Sequence, residues 1–174
     1  MQVKPITIAG ALLIAPDVFA DERGFFKESF SAERYRAAGV TDVFIQDNVS
    51  VSKRHVLRGL HGDRRMAKLI QVLRGEAFDV LVDVRTGSPT YGRWEGFSLT
   101  EHNHAQLYIP AGCLHGFMAM TDDVILSYKQ SATYNPAHEF CVRWNDPVLN
   151  IAWPSASEPR LSAKDAAAPL LSEI

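Results

Sequence analysis

Apolar and polar residues alternate in short stretches along this chain, and clusters rich in Gly, Pro and Asp cut the stretches apart. That pattern marks strands joined by turns. It predicts strands over residues 11–14, 25–30, 43–51, 56–60, 67–73, 77–84, 93–99, 106–109, 116–119, 124–130 and 140–144. Turns fall at Asp21-Glu22-Arg23-Gly24, Arg74-Gly75, Thr86-Gly87-Ser88-Pro89, Pro110-Ala111-Gly112 and Thr121-Asp122-Asp123. One short helix is predicted over 32–38, with Ser31 as N-cap and Gly39 as the stop, and residues 163–168 have the pattern of a single helical turn. Many short strands with Gly/Pro turns make an all-β sandwich or barrel, expected as one domain over residues 1–174.

One strand orients the wall. Phe78, Val80, Val82 and Val84 form a fully apolar face, while Ala77, Asp79, Leu81, Asp83 and Arg85 form a mixed one. A dry face backed by a mixed face suits a barrel whose interior is partly polar. Into such an interior the chain can send unusual groups. Leu57-Arg58-Gly59-Leu60-His61 brings a cation and an imidazole, the return strand brings Lys68, and Pro110-Ala111-Gly112-Cys113-Leu114-His115 brings a second imidazole. Strict period-two alternation places Arg58, Leu60 and Gly62 on one face and His61 on the other. Asp83 is the expected partner of His115.

Composition changes this picture little. The 174 residues are 47% hydrophobic with a formal net charge of −2, which marks neither a nucleic-acid nor a membrane surface. No apolar run approaches the ~20 residues of a membrane helix, and the N-terminus has no secretion-signal pattern. Cys113 and Cys141 are too few for a disulfide framework and read as free thiols in a reducing cytoplasm, the expected location. The basic runs Lys53-Arg54-His55 and Arg64-Arg65 read as exposed loop charges, and His102-Asn103-His104 as a solvated connection despite its metal-like spacing.

Read together, Asp21-Glu22-Arg23-Gly24-Phe25-Phe26, Gln46-Asp47-Asn48, Leu57-Arg58-Gly59-Leu60-His61, Ser88-Pro89-Thr90-Tyr91-Gly92 and His115-Gly116-Phe117 give the chain a specific likeness. With Arg143-Trp144-Asn145-Asp146-Pro147, Trp153-Pro154 and Leu161-Ser162-Ala163-Lys164-Asp165, they run in order from about residue 10 to 166. In them the chain resembles the dTDP-4-dehydrorhamnose 3,5-epimerase family. The resemblance implies a cupin-type jelly-roll β-barrel with short peripheral helices and a homodimer with an exchanged N-terminal region. It implies inversion of C3 and C5 of a nucleotide-linked 4-keto-6-deoxyhexose, without a cofactor.

By position, the resemblance makes His61 the base, Asp165 its acidic partner, Tyr128 the acid on the opposite sugar face and Lys68 the cation beside the C4 oxygen. It makes Arg58, His115, Gln46, Asn48, Tyr134 and Lys164 substrate-binding residues. Phe19, Arg23, Phe26 and Glu28 match residues that complete a neighbouring subunit's nucleotide site. These residue types suit the reaction. A C4 ketone acidifies both adjacent C–H bonds, histidine titrates near neutrality, and a fixed cation stabilises the developing oxyanion. No Gly-rich phosphate loop is present, so Arg23 and Arg58 are the expected diphosphate donors.

The segment Gly62-Asp63-Arg64-Arg65-Met66-Ala67 is shorter than the family's usual one and lacks its Tyr-Gln pair, as in relatives acting on GDP-linked deoxyheptoses. The rival substrate is therefore a GDP-linked 4-keto-6-deoxyheptose; dTDP is the expected nucleotide, because the 19–28 block keeps the dTDP-type pattern. Within the enzyme class the rivals are a C3-only epimerase and a ketoisomerase. Beyond it stand a metal-dependent cupin oxygenase and a non-catalytic sugar-binding cupin. His61-Gly62-Asp63 lacks the close histidine pair of a cupin metal site, so no metal is expected.

Overall fold

In the computed structural model, which describes residues 1–154 and 158–174, thirteen strands among the described residues carry the chain. They are β1 (Gln2–Pro5), β2 (Leu12–Ala15), β3 (Val18–Asp21), β4 (Gly24–Lys27), β5 (Gln46–Ser52), β6 (Leu57–Asp63) and β7 (Lys68–Arg74). The others are β8 (Glu76–Asp83), β9 (Trp94–Thr100), β10 (Gln106–Ile109), β11 (Cys113–Ala119), β12 (Val124–Gln130) and β13 (Glu139–Cys141). Two short helices, α1 (Ala32–Ala37) and α2 (Ala163–Ala166), lie outside the sheets. No helix among the described residues is long and apolar enough to cross a membrane.

Every ladder between these strands is antiparallel. One sheet runs β1-β2-β10-β7-β12-β5 and the other β13-β6-β11-β8-β9, with β3-β4 as a separate hairpin. The two large sheets face each other across one core. Ile70 and Val72 of β7, with Leu107 of β10, meet Leu81 of β8, Leu99 of β9 and Phe117 of β11. Burying a side chain such as Leu81 contributes roughly 1.5–3 kcal/mol. This is the expected all-β jelly-roll barrel. The dry face of β8 turns outward, where Phe78, Val80 and Val82 join Leu60, Leu114 and Val142 under Leu149 and Trp153. Its mixed face turns inward and, through Asp79 and Asp83, makes the barrel interior partly polar.

Several expectations need correction. The predicted strand over 25–30 ends at Lys27, as β4, and pairs with an unpredicted strand, β3, across a turn at Glu22-Arg23. Strands β6 and β11 extend past the predicted 56–60 and 116–119, because their glycines allow close backbone approach instead of turning. A Cβ on Gly59 would stand 2.6 Å from the Gly116 Cα. Ser31 holds the N-cap position of α1 but makes no side-chain cap bond. His104 lies in the connection between β9 and β10, as expected, but is only partly exposed. Its ring packs 4.6 Å from that of Phe25, and its Nδ1 lies 3.4 Å from the Lys27 ammonium.

Candidate active site

At one end of the barrel the sheets part around a cavity of about 500 Å³. Its wall on the five-stranded side is β6 and β11. There His61 and His115 are direct cross-strand partners, so both imidazoles enter the same space. Arg58 lines it too, contrary to strict alternation. The β6–β11 register shifts between these residues: Phe117 pairs with Arg58 while His115 pairs with His61. Gly59, at φ 128°, sits in this bulge, and the extra residue returns Arg58 to the His61 face.

Each imidazole is backed by a carboxylate. His61 Nε2 lies 2.6 Å from Asp165 Oδ1, and His115 Nε2 lies 2.8 Å from Asp79 Oδ2. Asp165 reaches His61 because α2 begins at Ser162, whose hydroxyl accepts from the Asp165 amide at 3.1 Å. Burial alone raises the Asp165 carboxyl. The hydrogen bond and charge of His61, the Ser162 hydroxyl and the Gly59 amide outweigh it and hold the group below the usual carboxylate range. A carboxylate only accepts, so the proton of neutral His61 sits on Nε2 and the lone pair on Nδ1. That is the configuration of an oriented base.

Asp83 is not the partner of His115. Both Asp79 and Asp83 flank Leu81, the residue opposite His115, so both stand diagonally within reach. Asp83 is taken instead by Arg85 at 2.8 Å, Thr90 at 2.5 Å and Ser88, which fold back from the following turn. Asp79 is left to the imidazole.

The other sheet contributes Lys68 from β7 and Tyr128 from β12. Burial pushes the Lys68 ammonium below the usual lysine range, while Glu139, Asp79 and Asp63 pull it back up. Burial pushes the Tyr128 phenol up, with Arg58 opposing and Glu139 adding to the rise. Lys164 and Tyr134 stand at the mouth, both on Glu139; the tyrosine hydroxyl is 3.2 Å from that carboxylate. Arg58 is held by Ser52 Oγ at 3.0 Å and the Val51 carbonyl at 3.2 Å. Gln46 and Asn48 lie just behind the lining. Asn48 donates to Gln130 at 3.0 Å, and Gln46 Oε1 accepts from the Tyr134 amide at 3.2 Å.

Eight of the expected residues, His61, Tyr128, Asp165, Lys68, Arg58, His115, Tyr134 and Lys164, therefore share one cavity. Four do not. Phe19, Arg23 and Phe26 sit on the β3–β4 hairpin around a separate shallow cavity, and Glu28 pairs with Arg34 at 3.0 Å. The sequence reading missed Glu139 in the wall and Asp79 behind it. Asp79 was signalled by its place on the mixed face of β8; Glu139 had no local signal. No group of three or more His, Cys, Asp or Glu side chains converges as metal ligands among the described residues.

The comparisons with known proteins agree on one family. Residues 5–173 match the family model described as dTDP-4-dehydrorhamnose 3,5-epimerase. The chain is 45% identical to the dTDP-4-dehydrorhamnose 3,5-epimerase of Salmonella typhimurium, over 99% of this chain and 97% of that one. Among solved structures it is similar to the dTDP-6-deoxy-D-glucose-3,5-epimerase of Legionella pneumophila, in complex with dTDP-4-keto-L-rhamnose. The TM-score is 0.96 at 45% identity, covering 99% of this chain and 94% of that one. It is also similar to a 3'-monoepimerase of Streptomyces bikiniensis in complex with dTDP-quinovose, with TM-score 0.92 at 41% identity over 97% and 87% of the chains.

Proposed function

Because the chain belongs to the dTDP-4-dehydrorhamnose 3,5-epimerase family, we propose that it converts dTDP-4-dehydro-6-deoxyglucose to dTDP-4-dehydrorhamnose. Residues 1–174 act as one catalytic domain. His61 Nδ1 removes the proton at C5 or C3, and the C–H electron pair moves into the ring as the C4 carbonyl becomes an enolate. Lys68 faces the charge that grows on the C4 oxygen. Tyr128 returns a proton from the opposite side, so the carbon is inverted with no net oxidation. The observation that carries this reading is the His61–Asp165 pair at 2.6 Å on one wall of a cavity whose opposite sheet supplies Lys68 and Tyr128.

Arg58, His115, Lys164 and Tyr134 bind the substrate from inside this cavity, with Gln46 and Asn48 bracing its rim. Phe19, Arg23, Phe26 and Glu28 belong to the nucleotide site of a second copy, in a homodimer that exchanges the N-terminal region. Support for the dimer lies in exposed apolar groups. Phe19 and Phe26 are 65% and 70% exposed, and Val49 and Val51 of the edge strand β5 are also open. Neither the GDP-linked heptose reading nor the metal-dependent oxygenase finds support in the relatives.

The test is solvent-deuterium exchange against a panel of 4-keto nucleotide sugars, read by NMR. Incorporation at both C3 and C5 of the dTDP sugar is expected, with the rhamnose configuration in the product. Exchange confined to C3 would replace this reading with a monoepimerase like the Streptomyces protein. No exchange with any dTDP sugar would overturn it.

A further inference from the structure

We propose that Asp79 is a positioning residue: its buried carboxylate fixes the orientation of His115 and balances the Lys68 ammonium, so that the two present a defined polar pair to the substrate. The inference rests on the epimerase reading for what that pair contacts, but not for its geometry.

Asp79 is fully buried at the centre of β8, between β11 and β9. One carboxylate oxygen takes His115 Nε2 at 2.8 Å; the other has no hydrogen-bond partner among the described residues. A half-satisfied buried carboxylate costs stability that an apolar residue in its place would not. Scaffold needs do not explain it, because β8 already carries Val80, Leu81 and Val82 into two apolar clusters. A source of compensating charge is Lys68, which lines the same cavity as His115 and whose proton Asp79 is among the groups helping to hold.

The consequence for His115 is chemical. With an acceptor-only group on Nε2, the neutral ring carries its proton there. Nδ1 makes no hydrogen bond within the described chain and is not among its buried orphan atoms, so its lone pair is open to the cavity. His115 then accepts a hydrogen bond from a sugar hydroxyl, while Lys68 from the opposite sheet of the same cavity donates to the C4 oxygen. The pair reads a hydroxyl and a carbonyl separately. The proton on Lys68 depends on its surroundings: Glu139 of β13, Asp63 of β6 and Asp79 of β8 hold it on against burial. The other titratable groups in the cavity wall are His61 and Arg58 of β6, His115 of β11, Tyr128 of β12, Tyr134 and Arg160 from the connections, and Asp165 and Lys164 of α2.

The experiment compares wild type with Asp79→Asn, which keeps the shape and removes the charge. In wild type, nitrogen-15 NMR of neutral His115 should find the proton on Nε2; a proton on Nδ1 would overturn the proposal without any mutation. In Asp79→Asn, kcat for exchange should fall at least ~10-fold, in the manner of a disturbed imidazole partner, with dTDP affinity within about twofold of wild type. The alkaline limb of the pH–rate profile should move to lower pH, since Lys68 loses one of its three supporting charges. A merely structural role would lower the melting temperature and leave the limb in place, which also overturns the proposal. Failure of the epimerase reading looks different: wild type would exchange no deuterium, while the His115 proton would still be found on Nε2.

Discussion

The cavity between the sheets and the β3–β4 hairpin carry the two halves of the expected site, and they are built in opposite ways. In the cavity, His61, Asp165, His115 and Asp79 are held by hydrogen bonds of 2.6–2.8 Å, and the side chain of Asp165 is only 5% exposed. On the hairpin, Phe19 and Phe26 face outward, and Arg23 folds back on Asp21 at 2.5 Å, its only side-chain partner among the described residues. The first region is complete within one chain. The second presents aromatic area and a fork-shaped cation that this chain does not use. Chemistry needs preorganisation, so its groups are fixed before substrate arrives. In the proposed dimer the hairpin groups would be covered only when a second subunit is present.

The largest expected effect falls on the cavity. His61→Asn should reduce exchange at both C3 and C5 by at least ~100-fold, the usual scale for removal of a general base, and leave dTDP binding intact. Tyr128→Phe should fail differently. The enolate still forms, so exchange at C5 persists, but the proton returns to its original face and inversion is blocked. Equal exchange rates in wild type and His61→Asn, followed by deuterium NMR, would remove His61 from the role.

A smaller effect, of another kind, is expected at the hairpin. Arg23→Ala should weaken dTDP-sugar binding by about 10–100-fold, the range of a lost charge-assisted hydrogen bond, while kcat at saturation changes little. Calorimetric titration measures the first and steady-state kinetics the second. If the proposed exchanged dimer forms, mixing Arg23→Ala with His61→Asn protein should restore activity, because a hybrid dimer would carry one site with both halves intact. A fully active, strictly monomeric protein in sedimentation would break the comparison, since the hairpin would then have no subunit to serve.

Much of this was legible in the sequence, and for identifiable reasons. Strands with strong apolar content, such as β8, β10 and β12, declare themselves by period and composition. Strand β1 does not, because Gln2–Pro5 has little apolar alternation and is a mostly exposed edge. His61 and Asp165, 104 residues apart, were connected only through the family resemblance. Register was out of reach. Whether Arg58 shares a face with His61 depends on a bulge against β11, and whether Asp79 or Asp83 meets His115 depends on what the loop after β8 captures. Both are facts about pairing partners, which alternation along one strand does not contain.

Asp83 provides the smallest effect on activity and a control for both halves of the comparison. It is fully buried like Asp79 but belongs to the scaffold, tying Arg85, Ser88 and Thr90 to the end of β8. Burial alone raises its carboxyl, but the Arg85 guanidinium and the two hydroxyls outweigh that and drive it far below the usual range. Asp83→Asn should cost about 2–3 kcal/mol, roughly 4–12 °C in Tm, and leave kcat and dTDP affinity near wild type. A carboxyl whose folded value is depressed stabilises fully above its unfolded value and loses that contribution as pH falls toward the folded one. The wild-type advantage over Asp83→Asn should therefore be flat at neutral pH and shrink below the ordinary value of 3.8. Thermal melts from pH 7 to pH 3 measure it. An advantage that grew on acidification would mean that Asp83 is held protonated, and that the network around Arg85 is not an ion pair.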